Sequence, residues 1–244
     1  MMKQCSYVEN PVQESSISDL NYKRILEYLR LVIRLDATVK LEEEVVLKLI
    51  LGRKIAVRVG NEIIPTVGSI LIFAKDPKRF LPCCGIVFTR YSGKTLTAKE
   101  LITSCTFQST ISQTLFSVVK MINAVDYPPN VVREVLINAL VHRDYSMIFS
   151  KILVDLFSDR IEVQSPGLLP NGLTVENMRA GYPVHRNPLL SNYVHCLKLD
   201  EQAAGGLPKI ISQMKQLGRE VEIKIENPFI PFIRVTIEGP RRKG

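Results

Sequence analysis

Val131-Val132-Arg133-Glu134-Val135-Leu136-Ile137-Asn138-Ala139-Leu140-Val141-His142 is the stretch from which the fold of this chain is read. These twelve residues are almost wholly apolar and read as a helix with few polar positions. Its polar residues are Arg133, Glu134, Asn138 and His142. The last three are spaced i, i+4, i+8 and share one stripe. A carboxylate there can take a proton from a water. The carbonyl oxygen of Asn138 is a hard ligand of the kind Mg²⁺ accepts beside nucleotide phosphates. The same stripe also suits the wet side of an amphipathic helix, and spacing alone leaves both readings open.

Working outward, Tyr127-Pro128-Pro129 breaks whatever precedes it and pre-sets the first turn of this helix, predicted over 129–142. Downstream the pattern predicts strands at 151–157 and 160–164 around a Ser158-Asp159 turn and a Pro/Gly-rich loop over 165–173. Short helices follow near 174–179 and 188–197, then a helix over 206–217 and strands at 220–226 and 232–237. The economical solution is an α+β sandwich with a mixed or antiparallel sheet and helices on one face.

Upstream, residues 1–16 are polar and read as a lead-in. Ser18 or Asp19 is placed to cap a helix carrying Leu20, Ile25, Leu29 and Val32. A second helix fits 41–51, with Gly52 as its left-handed stop, and Gly60-Asn61 marks a hairpin turn. Two helices and a hairpin follow the order of a winged helix, an arrangement common in connectors. Residues 66–90 read as an apolar helix or strand, a basic turn around Pro77 and a strand; a helix is expected over 112–124. The expected units are thus a lead-in (1–16), a helical and hairpin connector (17–105), a C-terminal domain (106–239) and a basic tail (240–244).

Composition narrows the classes. At 244 residues and 46% hydrophobic content the chain can bury a substantial core. Its apolar runs, such as 67–74, are far shorter than the roughly 20 residues of a membrane span. The first residues lack the apolar stretch of a secretory signal, so a cytoplasmic protein is expected. Five scattered cysteines with no CxxC pair predict neither a structural zinc nor a disulfide framework. The net charge of +8 makes phosphate-bearing partners admissible without requiring them. Lys75, Lys78, Arg79 and Arg90, with the tail, are the candidates for nucleic-acid contact.

The stretch YPPNVVREVLINALVHRDYS (127–146) resembles the signature block of the RecG-related, Schlafen/AlbA-type ATP-binding transcriptional regulators. Four more blocks agree in order: PTVGSILIFAKDPKRFLP (65–82), DRIEVQSPGLLPNGLT (159–174), RNPLL (186–190) and EQAAGGLPKI (201–210). Together they span most of residues 60–237. The resemblance implies a C-terminal domain of the Bergerat type, shared with gyrases, heat-shock chaperones and histidine kinases and often called GHKL, in which a helix with Glu-x-x-x-Asn faces the triphosphate. By that pattern Glu134 is the water-activating base and Asn138 the Mg²⁺ ligand. His142, Ser165, Gly167, Gly205 and Gly206 fall in the nucleotide-binding segments, and ATP with Mg²⁺ is the implied cofactor.

The chain departs from the pattern at three positions. Ser165 stands where the superfamily has an adenine-reading Asp, Ala204 stands at the first position of a glycine turn, and Phe149 lies near a usual Gly. The first residue falls at what resembles the end of the AlbA-like domain of full-length relatives. A shortened member is therefore expected, acting as a homodimer or with a separate AlbA-like partner chain.

Two functional classes follow. One is a regulator in which nucleotide occupancy tunes binding to DNA or to a partner, with at most a weak ATPase activity. The other is a degenerate module that binds no nucleotide and acts through protein contacts. A DNA-dependent helicase motor is disfavoured, because the sequence has no GxxxxGK(S/T) phosphate loop. Asn187 is read as the cap of the helix after Pro188, with Arg186 beside it as a lesser candidate for phosphate contact. His195 and Cys196 are read as packing residues.

Overall fold

The structure is a computed structural model and describes residues 6–36, 38–122, 127–170, 172–182, 186–197, 199, 206–226 and 230–240. The basic tail from 241 and Gly205, Ala204 and His185 lie outside the described residues.

The N-terminal part opens with short 3-10 turns and two helices, α1 (Tyr22–Ile33) and α2 (Glu43–Gly52). The cap of α1 is Asn21, whose side chain accepts from the Arg24 amide at 3.2 Å. Ser18 and Asp19, the expected caps, are instead used by a separate 3-10 turn at Ile17–Asp19. At the end of α2 the left-handed residue is Lys54 (φ 56°), and Gly52 remains helical. Strands β1 (Ala56–Val59) and β2 (Glu62–Pro65) form the expected hairpin, turning at Gly60 with φ 59°. The Thr66 hydroxyl then caps α3 (Val67–Phe73), every residue of which is buried.

The remaining elements are β3 (Ile86–Tyr91), β4 (Leu101–Phe107), α4 (Ile111–Met121), α5 (Pro129–His142), β5 (Ile152–Leu156) and β6 (Arg160–Pro166). They are followed by α6 (Val175–Arg179), α7 (Pro188–Cys196), α8 (Gly206–Gln216), β7 (Val221–Glu226) and β8 (Phe232–Glu238). Six strands make one mixed sheet in the order β4-β3-β5-β6-β8-β7; only β3 and β5 run parallel. The fold is α+β, as the sequence pattern requires. β4 is the element that pattern did not disclose.

Register explains why helices cover one face. Ile86, Ile152, Val154, Ile161, Val163, Val235 and Ile237 fall on the same side of paired strands. Against this side pack α4, α5 and α8. The opposite side carries Thr89, Asp155, Glu162, Thr236 and Glu222 in one continuous rung.

The sheet takes β3 and most of β4 from before residue 106, where the C-terminal domain was expected to begin, and one buried core runs across that position. At the junction Tyr28, Phe73 and Tyr193 form a mutual aromatic cluster with centroids 4.9–5.6 Å apart. Edge-to-face rings at such distances add about 0.5–1.5 kcal/mol each beyond burial. Among the described residues no helix is long and apolar enough to cross a membrane.

Candidate functional site

The site begins with the way α5 ends. A helix leaves its last four carbonyl oxygens without intrahelical partners. Here three of them are met by side chains from elsewhere. Ser165 Oγ on β6 donates to Ala139 O at 3.0 Å, Tyr145 Oη to Leu140 O at 2.7 Å, and Asn187 Nδ2 to Val141 O at 2.8 Å. Asn187 Nδ2 also donates to Arg143 O, and its oxygen accepts from Ser6 Oγ. The expected role of Asn187 as cap of its own helix is therefore corrected: its side chain makes no such bond to α7 and closes α5 instead. These bonds fix α5 against β6.

Between them lies a pocket of about 550 Å³. α5 contributes Val135, Asn138, Ala139 and His142; the sheet contributes Val163, Ser165, Ile233 and Val235. Leu168, Tyr182 and Arg186 and the first turn of α8 at Gly206, Leu207 and Pro208 also line it. The walls are mainly apolar, with a few convergent polar groups, the composition of a small-molecule site.

Of the residues expected to form the site, Asn138, His142, Ser165 and Gly206 line this pocket. Glu134 is buried one turn earlier on α5, and its Oε1 accepts from Asn138 Nδ2 at 3.1 Å. The Asn138 nitrogen is turned to Glu134, and no described residue donates to its oxygen. An amide oxygen beside a carboxylate fits a Mg²⁺ held largely by phosphates and waters. Among the described residues no group of three or more His, Cys, Asp or Glu side chains is arranged for a metal.

Gly167 lines the loop rather than the pocket. Its φ is 115°, and a Cβ there would lie 2.7 Å from Asp144 Cβ. The close approach is held by Asp144 N–H to Pro166 O and Gly167 N–H to Pro231 O, each at 2.8 Å. Arg186 bridges the same place, with Nη1 2.8 Å from Asp144 Oδ2 and Nη2 donating to Leu168 O. Phe149 is 89% exposed and absent from the pocket wall, so its bulk does not obstruct the site.

The basic candidates have local work. Lys75 Nζ donates to Ser18 O, and Arg79 pairs with Asp19 at 3.2 Å. Lys78 is exposed in the same turn, while Arg90 is on β3. The three from one turn are thus neighbours, and Arg90 belongs to a different element.

Sequence reasoning missed Val135, Leu168, Tyr182, Leu207 and Pro208 as wall residues. Their apolar character gave no signal distinct from the core, and the segments meet only through the tertiary fold.

Residues 150–237 match the family described as "Putative ATP-dependent DNA helicase recG C-terminal". The chain carries a RecG-related, ATPase-like C-terminal domain. The matched span contains Ser165, Gly167 and Gly206; it begins after α5, so Glu134, Asn138 and His142 lie outside it. The fold is similar to that of the DIP2311 protein from Corynebacterium diphtheriae, with a TM-score of 0.70 and 19% identity over 98% of this chain. The chain spans only 41% of that protein's length, and at this identity the likeness concerns the fold alone. No curated protein matches the chain.

Proposed function

We propose that the pocket between α5 and β6 binds ATP with Mg²⁺, and that its occupancy tunes contact with DNA or a partner protein in a cytoplasmic transcriptional regulator. The observation that carries the reading is Asn138 in the wall of an apolar cleft, hydrogen-bonded to the buried Glu134 one turn earlier, with the glycine-started first turn of α8 lining the same cleft. Apolar walls from Val135, Val163 and Val235 suit a flat base. The Asn138 oxygen would hold the cation, and Glu134, by accepting a proton from water, would support slow hydrolysis. Gly206 would approach the phosphates through its backbone.

Ser165 bears on base recognition. Its hydrogen goes to Ala139 O, so the oxygen can present only lone pairs to a ligand and would accept from an amino group. A neutral acceptor discriminates less than the carboxylate found in the superfamily. DNA contact would rest on Lys75, Lys78, Arg79 and Arg90, of which Lys75 and Arg79 already have protein partners. A helicase motor is disfavoured, since this sequence has no GxxxxGK(S/T) phosphate loop.

The test is calorimetric titration of the whole chain with ATP, with and without Mg²⁺, beside a Glu134→Ala, Asn138→Ala double variant. Saturable, Mg²⁺-dependent binding weakened by about tenfold or more, some 1.4 kcal/mol, in the variant is expected. A folded chain that gives no heat at millimolar ATP would end the nucleotide reading and leave a protein-contact module. Glu134→Gln separates the steps: binding persists while any turnover falls.

A further inference from the structure

The two ends of the six-stranded sheet are built differently. At one end β7 reads Val-Glu-Ile-Lys-Ile-Glu (221–226), with charges at every second residue, the usual guard of an edge strand. At the other end β4 reads Leu-Ile-Thr-Ser-Cys-Thr-Phe (101–107) and carries no charge at all. Among the described residues no strand pairs with its outer side. Seven residues of unguarded edge, roughly 23 Å long at 3.3–3.4 Å per residue, present a row of backbone donors and acceptors to any matching strand.

The neighbourhood is apolar as well. Leu101 is 47% exposed and Ile102 55%. On α4, which packs over β3 and β4, Phe116 is 68% exposed. The single charge within α4 is Lys120.

We propose that β4 is a dimerisation edge, on which a second copy of this chain pairs its own β4 antiparallel across a two-fold axis near Ser104. The occupant follows from charge and symmetry. A neutral strand meets itself without like-charge repulsion, and an axis at Ser104 sets Leu101 opposite Phe107 and Ile102 opposite Thr106. The charged residues before the strand, Lys99 and Glu100, then fall beside the uncharged Gln108 and Ser109 of the other copy. Pairing of β4 with β7 of a second copy would instead be head-to-tail, giving a ring or an open chain rather than a two-fold pair. The two-fold also brings both α4 helices to one face of a continuous twelve-stranded sheet, where they add apolar area that a strand pair alone lacks. The pairing does not rest on the nucleotide reading of the pocket.

The experiment is sedimentation velocity on the full chain over a range of concentrations, with Ile102→Lys as the variant and Ile225→Lys on β7 as the control. Ile102 and Ile225 are both exposed, so neither substitution disturbs the core. A dimer that Ile102→Lys converts to monomer and Ile225→Lys leaves intact is expected. Hydrogen exchange should show amides of 101–107 gaining protection as concentration rises. A wild-type chain that stays monomeric, a dimer that survives Ile102→Lys, or one that leaves 101–107 unprotected would overturn the proposal.

Discussion

Asn138 donates its side-chain amide to the Glu134 carboxylate at 3.1 Å, one turn apart on the same face of α5. The bond fixes the amide of a residue that lines the cleft, with its nitrogen toward Glu134. Asn138→Leu keeps the volume and removes the donor. A buried carboxylate oxygen that loses a donor costs about 1–3 kcal/mol. Urea unfolding should show that loss, and Mg²⁺-dependent nucleotide binding should weaken in the same variant. Unchanged stability would mean that the bond contributes nothing to the fold.

Gly167 and Gly172 both have positive φ, 115° and 81°, yet only the first is crowded. A Cβ at 167 meets Asp144 at 2.7 Å, while at 172 nothing lies within 4 Å. Gly172→Ala should therefore carry conformational strain alone, on the order of 1 kcal/mol. Gly167→Ala should cost roughly 1–3 kcal/mol more, because the loop must also move off Asp144. Thermal unfolding of the pair measures the difference, and equal losses would contradict the crowding.

Asn187 serves a helix 45 residues upstream. Asn187→Ala leaves the Val141 and Arg143 carbonyls without this donor in a buried place, a loss of roughly 2–4 kcal/mol for two acceptors. Asn187→Asp should be worse, since it sets a carboxylate against two carbonyl oxygens. If Asp is tolerated better than Ala in denaturant titrations, the closing of α5 by Asn187 is mistaken.

These residues also mark how far sequence reading reached. Helix α5 was legible because its apolar residues run round it and Pro129 fixes its start. The strands β5 to β8 were legible because inward Ile and Val alternate along them. β4 was not: an edge strand packs one side only, and its Thr, Ser and Cys carry no apolar alternation. The Glu134 stripe pointed to the pocket because the helix sets those residues by itself. The roles of Ser165, Asn187 and Arg186 depend on partners 26 to 46 residues away, and a local pattern has no access to such pairings.

The polar face of the sheet makes stability depend on pH through Asp155. Burial pushes its carboxyl up to about 6, and the neighbouring Glu162 adds to the rise; Arg234, Thr89 and Arg160 act the other way without cancelling it. In the unfolded chain the same carboxyl titrates near 3.8. Between these values the folded protein therefore holds a proton that the unfolded chain has released. Stability falls wherever the native state binds more protons, so the contribution of Asp155 is full below about pH 4 and is lost as pH rises through 6. At pH 7 the ionised group is a net burden on the order of 2 kcal/mol. Asp155→Asn, which cannot ionise, should raise stability at pH 7 by about that amount and change it little at pH 4. Guanidinium titrations of both proteins at the two pH values decide the matter: a variant destabilised equally at each would show that the Asp155 carboxylate is held by its cationic neighbours rather than strained by burial.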